Sequence, residues 1–197
     1  MFAKLVTPPV LEPVSLTEAK LHLRLAVDDS DAANCDVEDS KISVMITAAR
    51  EFVENHTRLA LITQTRDVAF DYFPSGIFIP LPFAPLQSVT SISYTGTDGS
   101  SLTFTDFEVD LFVNAAKLKY GFSWPETQYR SRVIIRIVSG YGTTAASVPA
   151  SIKQAMLLLI GHYYANSEAV IVDNRVAVDI LPMGVESLLA GFRRYEF

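Results

Sequence analysis

Apolar residues return every three or four positions between Ser15 and His56, alternate with polar ones over much of 61–138, and resume helical spacing from Val148 onward. In the first stretch, Leu16, Ala19 and Leu23 come after Ser15, and Glu18 stands three places beyond it. That is a capping-box pattern, and it predicts a short helix from about 15 to 25. Ile42, Met45, Ile46, Ala49, Phe52 and Val53 predict a stronger amphipathic helix from Ser40 to near His56. Between the two, Asp28, Asp29, Asp31, Asp36, Glu38 and Asp39 crowd a segment with little apolar content, which reads as an exposed loop. A calcium loop would need a glycine for its sharp turn and a bidentate Glu at its last position; this segment has neither.

The middle stretch changes period. Leu61 to Phe70 is rich in β-branched residues, and Pro74, Gly76, Pro80, Pro82 and Pro85 punctuate the chain after it. Val89, Ile92 and Tyr94 sit among polar residues, and Asp98-Gly99 supplies a hairpin turn before Leu102 to Phe104. Arg132 to Val138 reads as a further strand, ended by Gly140-Tyr141-Gly142. Short antiparallel strands are the expected structure.

The third stretch, Val148 to Tyr164, is apolar on nearly every side if helical. Ile152, Ala155, Met156, Leu159 and Tyr163 form one stripe, while Leu157, Leu158 and Tyr164 point elsewhere, so a second surface must cover them. Pro149 suits the first turn of this helix, which is expected to run to about Asn166. A last helix can begin near Pro182 with Val185, Leu188, Leu189 and Phe192 on one face, either docking on a partner or packing on the chain's own core. Arg193 and Arg194 complement that helix's C-terminus, with partner contact as the second reading. The predicted organisation is therefore a helical part over 1–58, a β-rich insert over 59–147, and a helical part over 148–197 that completes the bundle.

Composition sharpens this picture in one respect. Of 197 residues 49% are apolar, and the mean hydropathy is +0.25, yet no run reaches the roughly 18 to 20 apolar residues of a membrane span. A soluble chain with surplus apolar surface points to an interface. The first thirteen residues carry a single Lys and lack the pattern of a secretory signal. Cys35 is the lone cysteine, in acidic surroundings, and reads as an ordinary thiol.

The net charge of −6 argues against a tight grip on a nucleic-acid backbone. Lys117, Lys119, Arg130, Arg132 and Arg136 do cluster in sequence, and a solvated strand face is the simpler reading of them. Enzyme signatures are absent: no glycine-rich phosphate loop, no nucleophile elbow, no histidine pair at metal-ligand spacing. His22, His56 and His162 stand far apart, and no metal, cofactor or catalytic residue is assigned.

The order of the motifs resembles a known family. Ser15 to Arg24, Ile46 to Glu54, Leu61 to Thr65, Ile79-Pro80-Leu81-Pro82, Pro85 to Val89, Trp124-Pro125, Val148 to Tyr164 and Gly184 to Leu189 are similar to the head-tail connector (adaptor) proteins of long-tailed bacteriophages and of phage-derived gene transfer agents. The likeness spans almost the whole chain in one order. It departs where such proteins often carry a Trp followed by an Arg-Glu pair after the long helix; here Tyr163 and then Ser167-Glu168 stand instead.

What the resemblance implies is an α+β structural protein, found in the virion neck and in the host cytoplasm during assembly. It would form a homo-oligomeric ring, typically of twelve copies, beneath the portal protein. Such a ring extends the DNA channel and offers a platform to a tail-side stopper or terminator protein. Duplex DNA would be non-specific cargo, and no membrane, metal or cofactor is involved. The candidate interface residues are Met156, Leu157, Leu158 and Tyr164 on the long helix and Val185, Leu188, Leu189, Phe192, Arg193 and Arg194 at the end. Two alternatives stay open: a virion-associated cell-wall hydrolase, and a monomeric module whose β-domain binds a ligand.

Overall fold

Ser15 and Glu18 form a reciprocal cap: the Glu18 N–H donates to Ser15 Oγ at 3.1 Å, and the Ser15 N–H donates to Glu18 Oε2 at 2.8 Å. This starts α1 (Leu16–His22) in the computed structural model, which describes residues 1–25, 38–166 and 183–193. Cys35, the acidic stretch from Asp28 up to residue 37, Pro182 and Arg194 lie outside the described residues. The other helices are α2 (Asp39–Thr57), α3 (Ala150–Ala165) and α4 (Met183–Leu189), the last continued by a 3-10 turn over Ala190–Phe192. The strands are β1 (Phe2–Thr7), β2 (Gln64–Phe70), β3 (Phe78–Pro80), β4 (Leu86–Thr95), β5 (Ser101–Phe104), β6 (Phe107–Asp110), β7 (Ala115–Leu118) and β8 (Val133–Ser139). The class is mixed α+β with antiparallel sheets.

The chain divides into two compact units. One holds residues 1–10 and 62–143 and carries every described strand; the other holds residues 11–25, 38–61, 144–166 and 183–193. The helical reading of residues 1–58 thus does not extend to 2–7. Those residues form β1, whose ladder with β2 satisfies backbone groups that a strand alone would leave to water.

In the β unit, five strands run in the order β1-β2-β8-β4-β5 and three in the order β3-β7-β6, all neighbours antiparallel. β8 alternates buried Val133, Ile135 and Ile137 with exposed Ile134 and Arg136, so one face of the large sheet is core. Val68, Ile92 and Phe104 join that face, and Ile79 and Ala116 of the small sheet pack against it. Trp124 stacks on Phe73 at 5.1 Å between ring centres and donates its indole N–H to the Gly76 carbonyl at 2.6 Å. Gly140 has φ +139°; a Cβ there would lie 2.6 Å from the Ile62 carbonyl carbon and the Thr63 nitrogen.

In the helical unit, α2 buries Ile42, Ile46, Ala49 and Val53 at helical spacing and ends where Arg58 turns left-handed. The buried stripe of α3 is Ile152, Ala155, Met156, Leu159 and Ile160. α2 and α4 both pack on α3, and α1 packs on α2 and α3. His22 approaches Gly161 closely enough that a Cβ at 161 would sit 3.6 Å from its Nε2. Ion pairs also bind the unit from within, among them Lys20 with Asp39 at 2.5 Å and Lys153 with Glu18 at 2.9 Å.

Candidate functional site

The ten candidate interface residues fall into two groups. Met156, Val185 and Leu189 are fully buried inside the helical unit, which gives them core duty within their own chain. Leu157, Leu158, Tyr164, Leu188 and Phe192 are half-buried, and Arg193 is exposed. Arg194 lies outside the described residues. The second surface demanded by the apolar α3 is supplied in part by α4: a Cβ on Gly184 would meet Leu158 Cδ1 at 3.5 Å. Lys41 lies over the Tyr164 ring at 4.9 Å. The apolar face of α4 is therefore turned inward, with Val185 and Leu189 out of water.

The residues of the basic cluster each have a partner in the β unit. Arg136 makes a two-pronged pair with Asp67 at 2.8 and 2.9 Å, holding the Asp67 carboxyl below its usual range. Lys119 donates to the Thr105 carbonyl at 3.3 Å beside Asp106. Lys117 lies over Phe78, Arg130 over Tyr129 and Arg132 over Phe2. Each of the five cations thus has a partner within the β unit, and two of them, Lys119 and Arg136, stand beside a carboxylate.

The histidines also stay apart in role. His56 stacks on Phe52 at 5.8 Å, His162 stands edge-on to Tyr163, and His22 packs beside Gly161. Among the described residues no three His, Cys, Asp or Glu side chains come together at metal-binding distance, and no helix is long and apolar enough to cross a membrane.

A strongly exposed apolar feature of the β unit lies outside the ten candidate interface residues. The β6–β7 turn presents Leu111, Phe112 and Val113 to solvent, with Phe112 94% exposed. It is a built turn. Asp110 Oδ1 accepts from the Phe112 and Val113 N–H groups at 3.0 and 3.2 Å. Asn114, buried and left-handed at φ 56°, accepts from the Leu86 N–H at 2.7 Å through its side chain and from the Leu81 N–H at 2.9 Å through its carbonyl. The signal was present as three consecutive apolar residues framed by Asp110 and Asn114, two residue types that favour turns. β1 is another exposed apolar feature: all six of its residues are exposed, Phe2, Leu5 and Val6 among them.

No family model and no curated protein matches the chain. Solved structures do. A chain in the neck of an empty GTA particle, computed with C6 symmetry, is 24% identical with a TM-score of 0.77. A chain in the virion of a native gene transfer agent (GTA) particle is 24% identical at 0.78, and one in the neck of a native GTA particle, computed with C12 symmetry, is 24% identical at 0.71. Each alignment covers 100% of this chain and 97% of the other. This chain thus has, over its full length, the fold of chains found in gene transfer agent particles.

Proposed function

We propose that this chain is a structural component of the neck of a tailed phage or phage-like particle, a head-tail adaptor rather than an enzyme. The observation that carries the reading is the end-to-end likeness of fold to chains from particle necks, with no large segment left over on either side. The motif order from Ser15 to Leu189 supports it independently. In this reading the copies form a closed ring, about twelve in number by analogy with the twelvefold neck, with the helical bundle of both chain ends as its body. One side meets the portal and the other a tail-side stopper or terminator protein. The ring continues the DNA channel, and the −6 charge of each copy, multiplied around the ring, lets the duplex pass without adhering.

Mass photometry and electron microscopy of the full-length protein, alone and with its portal, test this. A closed ring seated on the portal is the expected result. A chain that stays monomeric alone, with the portal and in particle extracts would overturn it.

A further inference from the structure

β1 adds nothing to the core of the β unit. That core is drawn from Val68, Ile92, Phe104, Val133, Ile135 and Ile137 together with side chains of the small sheet, and no residue of β1 is among them; the whole strand is exposed. What holds β1 is its ladder with β2 and two surface contacts. Lys4 faces Asp67, and Arg132 lies over the Phe2 ring at 5.5 Å. A strand held by backbone hydrogen bonds and surface contacts can leave its sheet without opening the core.

The segment after β1 is suited to reach. Thr7, Pro8 and Glu12 each precede a proline and are held toward extended backbone, while Pro8, Pro9 and Pro13 fix their own φ. A linker that is stretched beforehand loses little conformational freedom on spanning a gap. Its root is fixed: Glu12 accepts from Thr47 Oγ1 at 3.0 Å and from Arg50 Nε at 2.8 Å, and Pro13 and Val14 are buried. From Thr7 to Glu12 the extended chain covers roughly 17 Å. Val10 is 95% exposed and Leu11 37%, so the linker carries apolar surface that its own copy leaves in water.

We propose that β1 is exchanged between copies: in the assembled ring, β1 of each copy pairs with β2 of the next, in the register that it has within one chain. The ladder, the Lys4–Asp67 pair and the Arg132–Phe2 contact are the same whichever copy supplies β2, so exchange loses none of them. What it adds is a tether from copy to copy and cover for Val10 and Leu11 where the linker crosses. Giver and receiver are different parts of the chain, so the contact is head-to-tail, and passed on in one direction it closes into a ring. The partner is a second copy, and the inference rests on the ring reading.

The test uses full-length protein in a Cys35→Ser background and two double variants: Phe2→Cys with Ala69→Cys, and Ala3→Cys with Val68→Cys. These are consecutive facing pairs of the β1–β2 ladder, and facing pairs alternate between a wide and a narrow type, so one of the two has the spacing that a disulfide takes. Rings, formed with the portal where the chain alone does not assemble, are oxidised and then denatured without reductant. Bonds between chains, giving a ladder that ends at the ring size, are the expected result, whereas unassembled chain treated alike should give bonds within single chains. Intact rings that fall apart into single chains on denaturation, whether bonded internally or at neither pair, overturn the exchange and leave the ring reading standing. Protein that stays monomeric alone, with the portal and in particle extracts overturns both.

Discussion

Arg50 and Glu54, one turn apart on α2, form an ion pair at 3.2 Å with side chains only 7% and 2% exposed. The pair is extended on both sides: Arg50 Nε donates to Glu12 Oε2 at 2.8 Å, and the Leu61 N–H donates to Glu54 Oε1 at 3.0 Å. It thereby joins the segment before α1, the middle of α2 and the chain after α2. Removing the cation would take from the buried Glu54 carboxylate its ion-pair partner. Arg50→Met should cost about 3–5 kcal/mol, although Met fills much of the same volume. Urea unfolding of the two proteins checks this, and a loss below about 1 kcal/mol would mean that Arg50 is not what compensates the buried carboxylate.

The Glu18–Lys153 pair between α1 and α3 gives stability a pH dependence. Burial pushes the Glu18 carboxyl up, but the Ser15 N–H and Lys153 outweigh it and hold the group below its ordinary value. A carboxyl depressed in the folded state stabilises above its unfolded value and loses that contribution as pH falls through the folded one. Asp67, held low by Arg136, acts in the same direction in the β unit. Stability should therefore drop between about pH 5 and pH 3. Lys153→Met should make that drop slightly shallower, because Glu18 is half-exposed and the pair is modest to begin with. Thermal melts across the range measure it; an unchanged slope would remove Lys153 as a cause.

Gly140 should tolerate no side chain. Its φ of +139° is a conformation that L-residues avoid, and the nearest atoms to an added Cβ are the Ile62 and Thr63 backbone. That backbone is fixed on both sides, since Thr63 N–H donates to the Gly142 carbonyl and Gly140 N–H to the Pro85 carbonyl. Gly140→Ala should cost about 3 kcal/mol or more, read by denaturant unfolding or by loss of soluble protein.

How much could be read beforehand depended on what each signal encodes. The Ser15–Glu18 cap is local, four residues that satisfy one another, and it appears in the structure as the sequence implies. The α2 stripe and the Asp98-Gly99 hairpin between β4 and β5 are likewise short-range, set by period and turn chemistry. β1 was hidden because Phe2 to Thr7 buries no face, so no alternation marks it; only its pairing with distant β2 makes it a strand. The Val185, Leu188, Leu189 and Phe192 stripe showed that α4 has an apolar side but not what lies against it. Periodicity reports that a face seeks cover, and the covering surface is a long-range fact.

With Val185 and Leu189 of α4 buried in the helical unit, removal of that helix should damage the unit itself rather than a docking step alone. Leu189→Ala should cost roughly 2–5 kcal/mol, as for other fully buried leucines. Leu158→Glu, beside Gly184, should cost several kcal/mol through a partly enclosed charge. Both are measured by unfolding of the unassembled chain. Full stability with lost assembly would instead make α4 a docking element.

Affinity for free duplex DNA should be weak. Counterion release rewards clustered cations, and here Lys117, Lys119, Arg130, Arg132 and Arg136 are each turned onto a ring, a carbonyl or a carboxylate of the β unit. The net charge of −6 adds repulsion at short range. Fluorescence anisotropy near physiological salt should give a Kd no tighter than about 10⁻⁶ to 10⁻⁴ M, with little dependence on sequence. Disrupting one internal pair, by Asp67→Asn, frees Arg136 and should tighten binding slightly, because one cation becomes available to phosphates. Nanomolar binding by the parent protein would contradict a conduit role and make the basic residues of the β unit a recognition surface.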